Sequence, residues 1–335
     1  MVRSLGLYLA WGTLAAGAGL ALLYAVPQLQ LVHRWAALVA AIIPFAVVAW
    51  GAALVLFLAA GRGWGRLLGL VAVPGLVLAV LWAQPYWPAG MSGGTDDAGA
   101  VAGGGGGVVG TVMTFNARCE SAGVAELRDT ILARQPDVVV LQGAGTRLRE
   151  RVVESGVAEA YPHRAFVYEM AGLPSCGTMV LSRLPLEWAG PRSSAQPVVV
   201  VDLGFGPVTL VPVDAPGPQD GVGPWRDAID GVGVAVEAAG LGTAAGGGGP
   251  VLVAGDFNAV REHEPMRRLL ELGLSSAAEQ AGAGWVPTYP ADQWYPPVLA
   301  IDHVLVGPGL EAVDVETVRV GGYAHMALLA QVRVR

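Results

Sequence analysis

The sequence predicts an α/β (α+β) domain preceded by an N-terminal three-helix transmembrane region. Three observations lead to this prediction. The 335 residues are 53% hydrophobic and only 14% charged, with a mean hydropathy of +0.52, a composition that is rare among soluble proteins. Long apolar segments are concentrated near the N-terminus. Beyond them, short runs rich in β-branched residues are interspersed with helical patterns, as in layered α/β and α+β domains.

Three apolar segments make up most of residues 1–88, and they run approximately over 5–26, 35–60 and 67–87. Each has roughly the 20 residues that a helix needs to cross a bilayer. Pro44 and Pro74 fall inside the second and third segments, and membrane helices tolerate proline better than soluble helices do. The first segment has a longer apolar core than a signal peptide and lacks a clear cleavage site. We therefore predict three retained transmembrane helices, in a multi-pass protein of the cell membrane.

The arginines near these segments predict the orientation of the protein. Arg3, Arg62 and Arg66 would lie on one side of the membrane, and Arg34 alone on the other. Because positive residues favour the cytoplasmic side, the N-terminus is expected in the cytoplasm. Three crossings then leave the C-terminal domain extracytoplasmic.

Acidic residues are confined to the C-terminal part of the chain. None of the 27 lies before Asp96, and four of the 20 basic residues do, so the remaining 16 give this part a formal charge of −11. An acidic domain without basic runs repels a polyphosphate backbone. The sequence therefore disfavours nucleic acid as a partner and leaves the membrane as the expected one.

A glycine-rich segment, 89–107, has no apolar periodicity and is predicted to be a flexible linker. The domain that follows, 108–335, is long enough for a sizeable core. Eight strands are predicted in it, at 109–115, 137–141, 178–181, 198–203, 208–213, 251–254, 301–306 and 328–334. Helical patterns lie between some of these strands, at 125–134, 225–239 and 264–272.

The segment from Val251 to Asn258 carries the clearest functional signal. An apolar run ends in Gly-Asp-Phe-Asn, which offers a carboxylate, Asp256, and an amide, Asn258, two residues apart. Residues two apart in a strand share a face, so both polar groups leave the end of a buried strand together. Asp and Asn are also common turn formers after strands, which is the alternative explanation.

Five further segments occur in a specific order around this one: Thr114-Phe115-Asn116, 135–142 (QPDVVVLQ), 177–185 (GTMVLSRLP), 301–306 (IDHVLV) and 322–325 (GYAH). Together with Gly-Asp-Phe-Asn they resemble the endonuclease/exonuclease/phosphatase superfamily of metal-dependent phosphoesterases. The resemblance covers nearly the whole C-terminal domain. It implies a four-layer αββα sandwich of the DNase I-like type, with two β-sheets packed face to face. Membrane-anchored bacterial members, including one associated with teicoplanin resistance, resemble the layout of this chain most.

The resemblance also implies roles for individual residues. His325 would be the base that activates water, and Asp302 would orient it. Asp256 and Asn258 would position the nucleophile and the phosphate, and Asn116 would lie beside the metal. The expected cofactor is Mg²⁺ or Mn²⁺, held by carboxylate oxygens. The expected substrate is a phosphate-containing lipid or small molecule.

Three positions depart from the family pattern. Gly143 stands where the family has its main metal-binding glutamate, and Ala324 replaces the aspartate before the final histidine. Asp214 occupies a position that is usually histidine, and it could simply be a turn residue. The loss of two carboxylates should weaken the binding of a hard cation, because charge and ligand number set its affinity. Asp214 or Glu120 is a candidate substitute ligand, and the alternative is that no metal is retained.

Two cysteines and one further histidine complete the set of candidates. Cys119 and Cys176 each lie next to a predicted strand, near the end of the domain where this fold has its active site. Outside the cytoplasm they could form a disulfide, and small buried thiols are the alternative. His263 is expected to be a solvated residue at a helix start, since no zinc-binding His-Glu-x-x-His pattern follows it.

These observations support three functions. The first is a membrane-anchored, extracytoplasmic phosphoesterase, either a phosphatase or a phosphodiesterase, that acts on a lipid-linked or small phosphate ester. The second is a pseudoenzyme, a binding or scaffold module at the membrane that has kept the fold and lost the metal. The third is an extracytoplasmic nuclease, which the formal charge of −11 disfavours.

Overall fold

The computed structural model describes residues 2–89, 107–119, 123–167, 176–189, 196–240 and 249–335. Most of the predicted linker, 89–107, lies outside these residues, as does Glu120, the second candidate substitute ligand. Within the described ranges, a bundle of apolar helices precedes a sandwich of two β-sheets. This architecture agrees with the fold class that the sequence predicts.

Five helices form the described N-terminal region: α1 (Val2–Ala25), α2 (Arg34–Ala40), α3 (Ala46–Ala60), α4 (Trp64–Gly69) and α5 (Ala72–Trp82). Short 3₁₀ turns connect or follow them, at Pro27–Leu31, Ile43–Phe45 and Gln84–Tyr86. The prediction of one continuous helix over 35–60 was therefore wrong. Pro44 lies in the turn between α2 and α3, where its ring and its missing N–H interrupt the helical hydrogen bonds.

Two helical segments are long and apolar enough to cross a membrane, Arg3–Ala25 and Ile43–Ala60, among the residues that the structure describes. The third predicted span corresponds to a shorter apolar helix, Arg66–Trp82. By length and composition these segments suggest association with a membrane. Three crossings and the orientation of the chain remain predictions.

Two six-stranded sheets form the sandwich. The first contains β1 (Gly110–Asn116), β2 (Val138–Gln142), β3 (His163–Val167), β4 (Thr178–Ser182) and two strands from the end of the chain. The second contains β5 (Leu186–Trp188), β6 (Val199–Asp202), β7 (Pro207–Asp214), β8 (Val251–Asp256), β9 (Ser275–Ser276) and β10 (Asp302–Val306). The first sheet is completed by β11 (Leu310–Arg319) and β12 (Met326–Val334). The spatial orders are β11-β12-β1-β2-β4-β3 and β5-β6-β7-β8-β10-β9.

Helices cover the outer faces of both sheets. On the first sheet lie α6 (Val124–Arg134), α7 (Thr146–Val152) and α8 (Ala158–Ala160), the last two joined by a π-helical turn, Val153–Val157. On the second lie α9 (Val222–Ala238) and α10 (Glu264–Glu271), and α11 (Ala277–Gln280) packs beside β11. Between the sheets, apolar side chains such as Val140 and Leu252 form the central core. The result is the four-layer αββα arrangement.

The strands bring the polar residues of the predicted site to one end of the sandwich. β7 runs parallel to β8, and β10 runs antiparallel to β8, in a register that puts Asp214, Asp256 and Asp302 side by side. In the other sheet, Asn116 is the last residue of β1, and His325 directly precedes β12. Strand ends from both sheets therefore meet at a single edge of the sandwich, where loops leave the polar side chains accessible to ligands.

The N-terminal region docks on the sandwich through a buried polar cluster that we call the junction, formed by Gln30, Tyr86, Glu262 and His263. Nε2 of Gln30 donates to the carbonyl oxygen of Glu262 (3.2 Å), and the hydroxyl of Tyr86 donates to the Glu262 carboxylate (2.8 Å). Nε2 of His263 lies 2.9 Å from the carbonyl oxygen of Ala37 in α2. Ala37 is itself fully buried in the core beneath α9 and α10. The junction therefore fixes α2 against the domain that carries the site.

Candidate functional site

Asp256 occupies the centre of the polar cluster and is fully buried. Its Oδ1 accepts a hydrogen bond from the backbone N–H of Asn258 (2.7 Å), and its Oδ2 accepts one from Nδ2 of Asn116 (2.8 Å). Gly255 precedes it because no side chain fits there: a Cβ would lie 2.0 Å from the carbonyl oxygen of Val213 in β7. The Gly-Asp-Phe-Asn sequence thus lets β8 pack tightly against β7 while two donors hold the carboxylate of Asp256.

His325 and Asp302 form a hydrogen-bonded pair beside Asp256. Nδ1 of His325 lies 2.9 Å from Oδ2 of Asp302, and Nε2 lies 3.8 Å from Oδ2 of Asp256. The contact with Asp302 favours a proton on Nδ1, which leaves Nε2 directed toward Asp256. The ring of Tyr289 packs against the imidazole at a centroid distance of 5.0 Å. Two neighbours therefore fix the orientation of the His325 ring.

Burial and neighbouring charges shift the pKa values of this cluster. Burial, reinforced by the charge of Asp302, raises the pKa of Asp256 to about 7. Burial alone would lower the pKa of His325, but the charge and the hydrogen bond of Asp302 outweigh it and raise that pKa to about 9. Oδ1 of Asp302 is buried without a hydrogen-bond donor among the described residues. The cluster therefore carries more negative charge than the surrounding donors offset.

Asp214 belongs to the same cluster. It ends β7 beside Asp256, and its Oδ2 accepts a hydrogen bond from the backbone N–H of Gly143 (3.2 Å). Burial and the neighbouring charge of Asp256 raise the pKa of Asp214 to about 7. The interpretation of Asp214 as a simple turn residue was wrong, because its carboxylate lies against the very position where the resemblance implies a glutamate.

The backbone at Gly143 has no room for that glutamate. Gly143 has a φ of +59°, and a Cβ there would lie 2.6 Å from the backbone nitrogen of Arg118 and 2.7 Å from that of Cys119. Cys119 is bonded to Cys176, so the disulfide is formed and the alternative of two buried thiols is wrong. The backbone N–H of Cys119 also donates to the carbonyl oxygen of Gly143 (2.9 Å). Gly143, which follows β2, therefore packs directly against the backbone of the loop after β1.

The cluster opens into a cleft of about 530 Å³, within the size range of small-molecule sites. Its polar lining residues include Asn116, Arg118, Asp220, Asp256, Asn258 and His325. Its aliphatic lining residues are Leu38, Ala41, Leu299 and Ile301. Leu38 and Ala41 come from the N-terminal region, so the cleft is built by both parts of the chain.

A divalent cation is compatible with the donors of this cluster. Asp256, Asp302 and His325 each offer a ligand atom, and these atoms lie within 4.8 Å of one another. Hard cations prefer carboxylate oxygens, and Asp214 adds a further carboxylate next to Asp256. Burial and, after it, the neighbouring carboxylates raise the pKa values of Asp214 and Asp256, and a bound cation would stabilise the charged forms of both.

The structure brings together all five residues for which the sequence predicts a catalytic role, namely Asn116, Asp256, Asn258, Asp302 and His325. Nδ2 of Asn258 donates to the carbonyl oxygen of Ala215 (2.8 Å) and lies 3.3 Å from Asp256. Ala324 is buried and contributes no acid next to His325. The catalytic roles of the five residues remain predictions.

His263 was wrongly predicted to be solvated. It is 1% exposed, its Nδ1 accepts a hydrogen bond from the backbone N–H of Val260 (2.8 Å), and burial lowers its pKa to about 4. Arg118, Tyr289 and Leu38 line the cleft but were not predicted to do so. Only Arg118 could have been found from the sequence, because it follows Asn116 by two residues.

Comparison with known proteins agrees with this geometry. A model of the Endonuclease/Exonuclease/phosphatase family matches residues 113–324. A solved endonuclease/exonuclease/phosphatase from Beutenbergia cavernae is 18% identical, with a TM-score of 0.52 over 68% of this chain and 72% of that one. The AP endonuclease LMAP from Leishmania major is 13% identical, with a TM-score of 0.55 over 68% of this chain and 88% of that one. At these identities the likeness concerns the fold alone. No curated protein matches the chain.

Proposed function

The chain belongs to the endonuclease/exonuclease/phosphatase family, and from this premise we propose that it is a membrane-anchored, extracytoplasmic and metal-dependent phosphoesterase. Its substrate is a lipid-linked or small phosphate ester. The observation that carries the proposal is the hydrogen-bonded pair of His325 and Asp302 (2.9 Å) beside Asp256, on the polar side of a cleft of about 530 Å³.

The pair supports general base catalysis. Nε2 of His325 accepts a proton from a water molecule, and Asp302 holds the protonated imidazole that results. Since the pKa of His325 is raised to about 9, the free ring is a strong base that must first lose its proton. We therefore expect the rate to rise with pH up to about 9. Asn116 and Asn258 keep the carboxylate of Asp256 in place through their hydrogen bonds.

Asp256 would hold the cation, Mg²⁺ or Mn²⁺, and Asp214 beside it in the sheet is a candidate second ligand. When bound, the cation polarises a phosphoryl oxygen and offsets the negative charge that develops during hydrolysis. Arg118 adds a positive charge at the edge of the cleft, where it attracts the phosphate group. Because Gly143 and Ala324 supply no acid, the affinity for the cation should be lower than in relatives that keep both.

Two features support an extracytoplasmic setting at the membrane. The segments Arg3–Ala25 and Ile43–Ala60 are apolar and long enough to cross a bilayer. The disulfide between Cys119 and Cys176 is typical of oxidising compartments outside the cytoplasm. A substrate that is itself attached to lipid would then lie close to the cleft.

A pseudoenzyme is the second candidate function, and the packing at Gly143 favours it. The backbone around Gly143 leaves no room for the side chain of an acid, as expected if cation binding were lost. A nuclease is less compatible with the chain, because the formal charge of −11 after residue 95 opposes a polyphosphate backbone.

The decisive experiment measures turnover by the full-length protein in detergent, with phosphomonoester and phosphodiester substrates and with Mn²⁺, Mg²⁺ or a chelator. We expect turnover that requires the cation and is lost in Asp256→Ala. A matched control is Asp202→Ala, which removes an acid at the opposite end of the second sheet. Absence of turnover under every condition would support the pseudoenzyme, and full activity of Asp256→Ala would place the reaction elsewhere.

A further inference from the structure

We infer that the apolar side of the cleft, which α2 of the N-terminal region completes, is a binding subsite for the hydrocarbon chain of an amphiphilic phosphate ester. This inference rests on the proposed function for the position of the phosphate and goes beyond it in naming the residues that recognise the chain. Leu38 is the residue that we expect to determine this specificity.

The lining of the cleft combines two kinds of residue. His325 and Asp256 are among the polar ones, and Leu38, Ala41, Leu299 and Ile301 are the aliphatic ones, which we call its apolar side. A phosphate ester with a hydrocarbon chain has the same division, with a charged group at one end and an apolar group at the other. A phosphate bound beside His325 would therefore direct its ester chain along an apolar surface that excludes water.

α2 is held in this position by contacts that the sandwich itself provides. The carbonyl oxygen of Ala37 lies 2.9 Å from Nε2 of the buried His263, which follows the catalytic segment by only a few residues. Nε2 of Gln30 donates to the carbonyl oxygens of Leu23 (2.9 Å) and Glu262 (3.2 Å), just before α2. Leu38 directly follows Ala37, so the backbone that carries it is anchored to the domain.

The outer surface of α2, next to Leu38, is also apolar. Trp35 is 61% exposed, and the neighbouring Val39 and Ile42 are also exposed, while Ala37 faces the protein core. A short helix with one side in the protein and large apolar side chains on the other is typical of an element that lies in the membrane interface. A chain embedded in the bilayer can therefore reach Leu38 without first entering water.

The first test uses water-soluble alkyl phosphates of increasing length: ethyl, butyl and hexyl phosphate, with the full-length protein and Mn²⁺. Each methylene group that becomes buried strengthens binding by up to roughly fourfold, so kcat/KM should rise along the series. Leu38→Ser should reduce the ratio of hexyl to ethyl kcat/KM about tenfold. The matched control Val234→Ser, at an exposed valine of α9 that does not line the cleft, should keep that ratio.

A second test does not depend on turnover. A long-chain alkyl phosphate with a photoreactive diazirine at the end of its chain is incubated with the full-length protein in lipid nanodiscs. We expect labelling within residues 38–41 or 299–301, competed by dodecyl phosphate and not by dodecanol.

The outcomes separate the two proposals. A flat alkyl series, or labelling that dodecanol competes equally well, overturns the inference about the chain. Labelling at the expected residues in a protein that hydrolyses none of the esters supports the subsite and overturns the proposed reaction.

Discussion

Two buried polar clusters lie at opposite ends of one short segment, residues 256–264. Each holds a carboxyl group whose pKa burial raises to about 7, Glu262 in the junction and Asp256 in the site, but the clusters differ in how their hydrogen bonds are satisfied. In the junction, each polar side-chain group of Gln30, Tyr86, Glu262 and His263 has a hydrogen-bond partner. In the site, Asp214, Asp256 and Asp302 are adjacent, and Oδ1 of Asp302 has no donor among the described residues.

The difference separates a structural cluster from a functional one. A buried polar network with all partners in place fixes geometry, whereas one with unpaired charge costs stability until a ligand supplies the missing partner. The junction anchors α2, and the site keeps like charges that hydrogen bonds do not balance. Mutations in the two clusters should therefore have effects of opposite kind, with the site affecting activity and the junction affecting stability.

The largest expected effect is on activity. His325→Ala removes the base, and kcat should fall by about 10³-fold, within the range found for general base catalysis. The measurement is steady-state turnover with Mn²⁺, with His163→Ala as the matched control in β3. A reduction smaller than tenfold in His325→Ala would show that the pair with Asp302 is structural, as the junction is.

The second prediction tests whether position 143 can accept the glutamate that the family pattern has there. Gly143→Glu should destabilise the protein by about 2–4 kcal/mol, because the Cβ meets backbone atoms of Arg118 and Cys119. Gly273→Ala is the control. Gly273 also has a positive φ (+102°) but open space around it, so this variant measures the cost of the backbone conformation without a steric clash. Its cost should be nearer 1 kcal/mol. Thermal midpoints in detergent measure both, and a stable, more active Gly143→Glu would contradict this account of the loop.

The third prediction concerns pH. The native pKa of Asp256 is about 7, above its unfolded value of 3.8, so the native state binds the proton more tightly and wild-type stability falls as pH rises from 4 to 7. Asp256→Asn removes this charge, so the fall in stability between pH 4 and pH 8 should be smaller in the variant than in wild type, by on the order of 2 kcal/mol. Added Mn²⁺ should reduce the fall in wild type and so bring the two proteins closer together. An equal fall in both proteins would show that the charge of Asp256 costs no stability.

The smallest expected effect is in the junction. Tyr86→Phe removes the hydroxyl that donates to Glu262 at 2.8 Å, and stability should fall by about 1 kcal/mol. The exposed Tyr295 provides the control, Tyr295→Phe, which should have no measurable effect. Thermal unfolding at neutral pH compares the two. A gain in stability from Tyr86→Phe would contradict the view that the hydrogen bonds of the junction stabilise the protein.

The strands show how far sequence patterns determine the fold. All eight predicted strands are present, and the four that were missed are β3, β5, β9 and β11. These four lie at the edges of the two sheets. Central strands such as β2 and β8 are buried throughout and appear in the sequence as continuous apolar runs, whereas β5 is only partly buried and short. The missed strands are therefore the ones whose residues are shared between solvent and core.

The site divides in the same way. The order of motifs around Asp256 and His325 could be predicted from the sequence, because each polar residue follows or precedes an apolar strand. The hydrogen bond from Gly143 to Asp214 joins residues 71 positions apart, and no local pattern reports it. The interpretation of Asp214 and His263 from their neighbours in sequence failed for this reason.

By itself, the sequence determined the family, the layered architecture and the polar residues at the strand ends, since periodicity and motif order are local properties of the chain. Only the tertiary structure decided that a side chain at Gly143 would clash with backbone atoms, that the backbone N–H of Gly143 donates to Asp214, and that α2 contributes to the wall of the cleft. The contact between Ala37 and His263 spans 226 residues. Such contacts depend on how whole layers pack together, and this packing leaves no trace in any single segment.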